Sequence, residues 1–268
     1  VGGNLSATSN GGNISQSGPL TVTGTSTLNA GTGNVTLNNA ANDFGGTVNA
    51  TAGNVTLVDA NTLTLGNVTA TGTLDATSAG NLTLAGTVSA GALDLQSTGG
   101  NIAQTGGSTL TVSGTTDLQA QGSIKLDQAN DFGGAVNVAG ATQVTLNDTN
   151  GLTLGNISTS GTLDASAAGN LVVGGAISAT RLDLESTGGN ISQSQGSTLR
   201  ISGQTDLVAQ GSITLDQAND FGGLVNVAGA TDVTLNDKNG MALGDVTASG
   251  QLTATTLNNL TLAGSVTV

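Results

Sequence analysis

The chain has 268 residues, including 43 glycines, one proline (Pro19) and three phenylalanines, and it lacks cysteine, histidine, tryptophan and tyrosine. Four basic residues (Lys125, Arg181, Arg200, Lys238) face seventeen acidic ones for a formal net charge of −13, which excludes neutralising the phosphates of nucleic acid or an anionic membrane surface. A disulfide scaffold is excluded by composition, no apolar run is long enough to cross a membrane as a helix, and the usual acid–base and nucleophile pairs lack their imidazole or thiol.

In chain order, an asparagine followed by an aliphatic residue recurs at Asn13-Ile14, Asn34-Val35, Asn54-Val55, Asn81-Leu82 and Asn101-Ile102, at separations of 21, 20, 27 and 20 residues. Between these steps apolar and polar residues alternate with period two, as in Val55-Thr56-Leu57, Leu63-Thr64-Leu65 and Leu93-Asp94-Leu95. The alternation predicts three short strands per coil, for instance 81–84, 86–90 and 92–96, and no helix. The pentad Asn-Asp-Phe-Gly-Gly at 42–46, 130–134 and 219–223 sets a longer repeat, with Phe44, Phe132 and Phe221 spaced 88 and 89 residues apart. The long repeats run approximately 11–98, 99–187 and 188–268 within one solenoid segment, 1–268, and the Asn steps predict four coils in each.

About twelve coils of three strands are therefore expected. Hairpin signals are almost confined to Asn150-Gly151 and Asn239-Gly240. The fold class that fits is all-β: a right-handed parallel β-helix, or β-solenoid, roughly 58 Å long at about 4.8 Å per coil. Its narrow interior suits Val, Leu, Ile and Ala. The pentad Phe is expected to fill a wider part of the core, with its glycine pair making the bend. The Asn steps are expected to bond through their amides to neighbouring backbone or to the next coil. Several form Asn-x-Ser/Thr sequons (Asn34, Asn54, Asn67, Asn81, Asn156, Asn190), a pattern that strand alternation itself produces.

One alignment of chemistry-bearing side chains stands out. Asp75, Asp94 and Asp117 are expected to stack on successive coils, and Asp164, Asp183 and Asp206 repeat the same steps of 19 and 23 residues. Such a strip is either a weak divalent-cation site, for Ca2+, or a solvated acidic stripe. The stripe is favoured, because an oxygen cage needs six or more ligands. No catalytic residue and no cofactor is expected, and no nucleic-acid or membrane partner. An ice-binding array would need a flat Thr-x-Thr on every coil, and triplets such as Thr21-Val22-Thr23, Thr62-Leu63-Thr64 and Thr109-Leu110-Thr111 do not recur on every one. A β-helical polysaccharide enzyme would need clustered charges and aromatic platforms. The last residues, Asn259–Val268, match Asn81–Ala90 and stop inside a coil, so a fragment or filament unit associating end to end is expected.

The runs Gly-Asn-Val-Thr-Leu (53–57), Leu-Asp-Leu-Gln-Ser-Thr-Gly-Gly-Asn-Ile (93–102) and Gly-Ser-Ile-Thr-Leu (211–215) resemble the shaft repeats of filamentous-haemagglutinin-type exoproteins of Gram-negative two-partner secretion. The likeness extends over essentially the whole chain. It implies a structural shaft segment of a large secreted or cell-surface adhesin or biofilm-matrix fibre. An outer-membrane transporter would export it, and host or matrix glycans or proteins would be bound by regions outside this segment. A surface-layer-type or self-assembling filament protein is the alternative.

Overall fold

Alternating burial builds the strands of this protein. In Val55–Asp59, Val55, Leu57 and Asp59 are buried, while Thr56 and Val58 lie towards the surface. The same rhythm holds through the computed structural model, which describes all residues from Val1 to Val268 as strands and turns without a helix. The architecture is an all-β, parallel β-solenoid of about 13 coils. Internal packing divides the chain into two compact units, Val1–Gly134 and Ala135–Val268.

In the first unit every strand pairs in parallel with the strand one coil away. One ladder runs Ile14, Val35, Val55, Leu74, Leu93, Thr116. A second runs Leu63, Leu82, Ile102, Ile124. A third runs Ala7, Leu28, Ala50, Val68, Val88, Leu110. These are the three sides of the coil, and each ladder points its aliphatic side chains inwards. In the second unit the corresponding ladders include Leu152, Leu171, Ile191, Ile213, Val233, Leu252 and Leu163, Leu182, Thr205, Val225, Leu243.

These ladders correct the expected four coils per long repeat. Four steps along the first ladder carry Ile14 to Leu93, and Ile102, the counterpart of Ile14 one repeat later, lies 9 residues further along the same coil. The second unit repeats this. Four steps carry Leu163 to Leu243, and its counterpart Leu252 lies 9 residues beyond. A long repeat is thus four and one-third coils, and it moves equivalent residues to the next side. The error arose at the 27-residue step from Asn54 to Asn81. One coil after Asn54 is Thr73, whose backbone N–H donates to Asn54 Oδ1 at 2.8 Å, and Asn81 opens a different side.

One further expectation changes. The separate strands 86–90 and 92–96 are one strand, Thr87–Ser97, which turns the corner with a register shift between Ala90 and Ala92. Phe44, Phe132 and Phe221 are buried as expected. The second glycine of each pair, Gly46, Gly134 and Gly223, stands at a bend as expected, without positive φ, and also serves close packing. A Cβ on Gly46 would lie 2.5 Å from the carbonyl oxygen of Gly24 on the coil below.

Candidate functional site: acidic columns and amide ladders

Strands Leu63–Ser78, Thr87–Ser97 and Thr116–Ala120 carry Asp75, Asp94 and Asp117 in register on adjacent coils. Their neighbours Leu74, Leu93, Leu95 and Leu118 are buried, so period two turns the carboxylates outwards. Partial desolvation raises the Asp75 pKa above its ordinary value. Asp94 is raised too, by desolvation first and then by the charges of Asp75 and Asp117.

The second unit places Asp164, Asp183 and Asp206 in register in the same way, on Thr162–Ala167, Arg181–Ser186 and Thr205–Ala209. Here Arg181 joins two of them. Its Nε donates to Asp183 Oδ2 at 2.9 Å and its Nη2 to Asp206 Oδ2 at 2.5 Å. Gln204 Nε2 and Asn226 Nδ2 also donate to Asp206, at 2.8 Å and 2.7 Å. Desolvation pushes the Asp206 carboxyl up, but these hydrogen bonds, the contact with Asp183 and the Arg181 charge outweigh it, and the pKa falls below its ordinary value. Asp164 stays raised, by desolvation and then by Asp183 and Glu185, against a lowering from Arg181. In both units the carboxylates stand in file. No three acidic side chains converge into a group that would hold a metal ion, and each column is a strip of charge along strand spacing rather than a cage.

The Asn steps form directional ladders. Each Oδ1 accepts the backbone N–H one coil further on: Asn13 from Asn34 and Asn34 from Asn54, both at 2.9 Å. A second such line joins Asn49 to Asn67 and Asn67 to Thr87. In the second unit Asn170 and Asn190 accept from Asn190 and Ser212, and Asp232 and Asp245 replace asparagine in accepting from Gln251 and Ser265. Aspartate substitutes because only an acceptor oxygen is needed.

Two buried polar features escaped the sequence reading. Asn42 is fully buried and pairs reciprocally with Gln16: Gln16 Nε2 donates to Asn42 Oδ1 at 2.7 Å and Asn42 Nδ2 to Gln16 Oε1 at 2.9 Å. Leu20 N–H and the Leu37 carbonyl complete its partners. Asn130 with Gln104 and Asn219 with Gln193 repeat the pair, each separated by 26 residues, and that fixed spacing was the available signal. The second feature is buried aspartate: Asp59 accepts from Phe44 N–H at 2.9 Å and Asn61 N–H at 2.7 Å, and Asp237 accepts from Phe221 and Asn239 N–H. Desolvation raises the Asp59 pKa, against these hydrogen bonds. Three buried hydroxyls, on Ser26, Thr116 and Thr205, have no hydrogen-bond partner.

No curated protein and no solved structure matches the chain. A family described as repeats of unknown function (DUF5649) matches residues 1–51, 52–89, 78–139, 141–181, 168–228 and 230–268. These matches cover nearly the whole chain, and the protein therefore belongs to that repeat family.

Proposed function

We propose that this protein is a structural shaft segment of a large secreted or cell-surface bacterial adhesin or matrix fibre, without catalytic activity. A repetitive β-solenoid supports this reading, and one observation carries it: the regularly placed polar side chains bind one coil to the next. Asparagine ladders and reciprocal amide pairs make a mechanical scaffold, since each coil satisfies backbone groups of its neighbour. The resemblance to filamentous-haemagglutinin shafts adds export through an outer-membrane transporter and display outside the cell. Calcium has no part in this proposal, and the acidic columns serve solubility and mutual repulsion between fibres. Immunogold labelling of cells producing the parent protein tests it. Label on the outer surface, lost when the transporter is deleted, is expected; label confined within the cell overturns the reading.

A further inference from the structure

In the second unit, Ser158, Ser178, Arg200 and Asp220 lie side by side on successive coils. Arg200 belongs to a surface groove of about 390 Å³ lined by Thr159, Ser178, Thr180, Ser202 and Asp220, among others. Asp220 is already engaged: Lys238 Nζ approaches its Oδ2 at 3.4 Å and Asn239 Nδ2 donates to its Oδ1 at 3.2 Å. Arg200 itself makes no ion pair and no hydrogen bond, and the hydroxyls of Ser178 and Ser202 are equally uncommitted. Thr180 Oγ1 donates to the Ser160 carbonyl and keeps its lone pairs as acceptors.

Internal comparison shows that these charges are not a property of the repeat. The places of Arg200 and Lys238 are held by Thr21 and Ala60 in the first long repeat, and by Thr111 and Thr149 in the second. Two of the four cations of a chain with net charge −13 therefore flank one aspartate, Lys238 as its ion-pair partner and Arg200 as its register neighbour, and only in the third repeat. Neutralising Asp220 needs one of them, and Lys238 supplies it. The guanidinium left over lies in the groove with the Ser178, Thr180 and Ser202 hydroxyls, beside the Asp220 carboxylate that Lys238 neutralises.

We propose that this groove binds the carboxylate of an acidic saccharide, of the uronate class. Arg200 receives the carboxylate as a fork of N–H donors, and the Ser178, Thr180 and Ser202 hydroxyls with the Asp220 carboxylate meet the ring hydroxyls. One uncommitted cation among several neutral donors and acceptors matches a sugar residue with one charge and several hydroxyls, whereas phosphate and sulfate sites gather several cations. No aromatic platform is present, so binding is weak, on the order of 1 mM. This proposal stands apart from the shaft reading, which holds with or without the groove.

The test uses the full 268-residue chain, labelled with 15N and titrated with trigalacturonate, with galactotriose and inorganic phosphate as comparisons. Saturable shifts of the Ser178, Arg200 and Ser202 amides are expected with trigalacturonate alone. They should weaken at least tenfold in Arg200→Thr, which restores the residue type of the first two repeats and should fold normally. Arg181→Ala, which alters a different cation of the same unit, should leave them unchanged. The proposal is overturned if trigalacturonate produces no shifts, if the shifts map elsewhere, if phosphate or galactotriose matches it, or if Arg200→Thr binds equally well.

Discussion

In the unit Val1–Gly134 no basic side chain forms an ion pair with Asp75 or Asp94, whereas in the unit Ala135–Val268 Arg181 bridges Asp183 and Asp206. The two columns come from one sequence pattern and share one strand register, yet differ electrostatically. In the first, desolvation raises Asp75 and Asp94, with like charge adding at Asp94; in the second, Asp206 is held low against desolvation by hydrogen bonds from Gln204 and Asn226, the contact with Asp183 and the Arg181 charge. Register is set by the hydrophobic ladders, and the charge on the outer face varies freely over it. Substitutions in the ladders should therefore affect both units alike, and substitutions in the columns should separate them.

The largest effect belongs to the core. Leu95→Asp in the first unit and its counterpart Leu184→Asp in the second each bury an unpaired charge among aliphatic side chains, and each should cost about 4 kcal/mol or more in denaturant unfolding. A silent result in one unit alone would break the shared register. Next come the amide pairs. Asn42→Ala and Asn219→Ala strand Gln16 and Gln193 and should each cost about 2–3 kcal/mol. The unpartnered hydroxyls give a gain instead: Thr116→Val and Thr205→Val keep the shape and remove a buried, unbonded oxygen, stabilising each unit by about 1 kcal/mol.

The units part company with pH. A carboxyl whose pKa is higher in the folded than in the unfolded chain binds its proton more tightly when folded. Stability then rises as pH falls through the raised value towards the ordinary 3.8. Asp59, Asp75 and Asp94 act in this sense in the first unit. Asp127, lowered by its hydrogen bond from Gln128 and by Lys125, loses its contribution only below 3.8. In the second unit Asp164 is raised and acts in the same sense, while Asp206, being lowered, adds a loss below 3.8 rather than a gain above it. Hydrogen exchange resolved by unit, corrected for intrinsic pH dependence, should show the first unit gaining more protection between neutral pH and pH about 4. Arg181→Ala should move the second unit towards the behaviour of the first. Smallest of all, Asp94→Asn should be neutral to slightly stabilising, while Asp183→Asn, which weakens the Arg181 bridge, should be slightly destabilising.

Much of this was legible in the sequence. Period-two alternation put Leu93 and Leu95 on one face and placed Asp75, Asp94 and Asp117 in one outward file, because strand periodicity carries that information directly. The side on which each Asn step falls was not legible. Asn54 and Asn81 look equivalent, yet the position one coil above Asn54 holds Thr73, which supplies the same backbone N–H without an amide of its own. The Gln16–Asn42 pair was hidden because both residues look like surface polar groups; only their repeated spacing marks them. Nothing in the sequence marks Asp59 as buried; its burial goes with accepting the Phe44 backbone N–H from another part of the coil.

The advance of four and one-third coils per long repeat is the central structural claim, and the absence of native cysteine allows a direct test. Thr56 and Asp75 are register partners on the outer face of neighbouring strands, whereas Thr83 is the position a four-coil repeat would place beside Thr56. Adjacent outward positions are close enough for a disulfide. Thr56→Cys with Asp75→Cys should oxidise rapidly to an intramolecular disulfide in the folded chain, and Thr56→Cys with Thr83→Cys should not. The reverse result, with Thr56 linked to Thr83 and not to Asp75, would contradict the account.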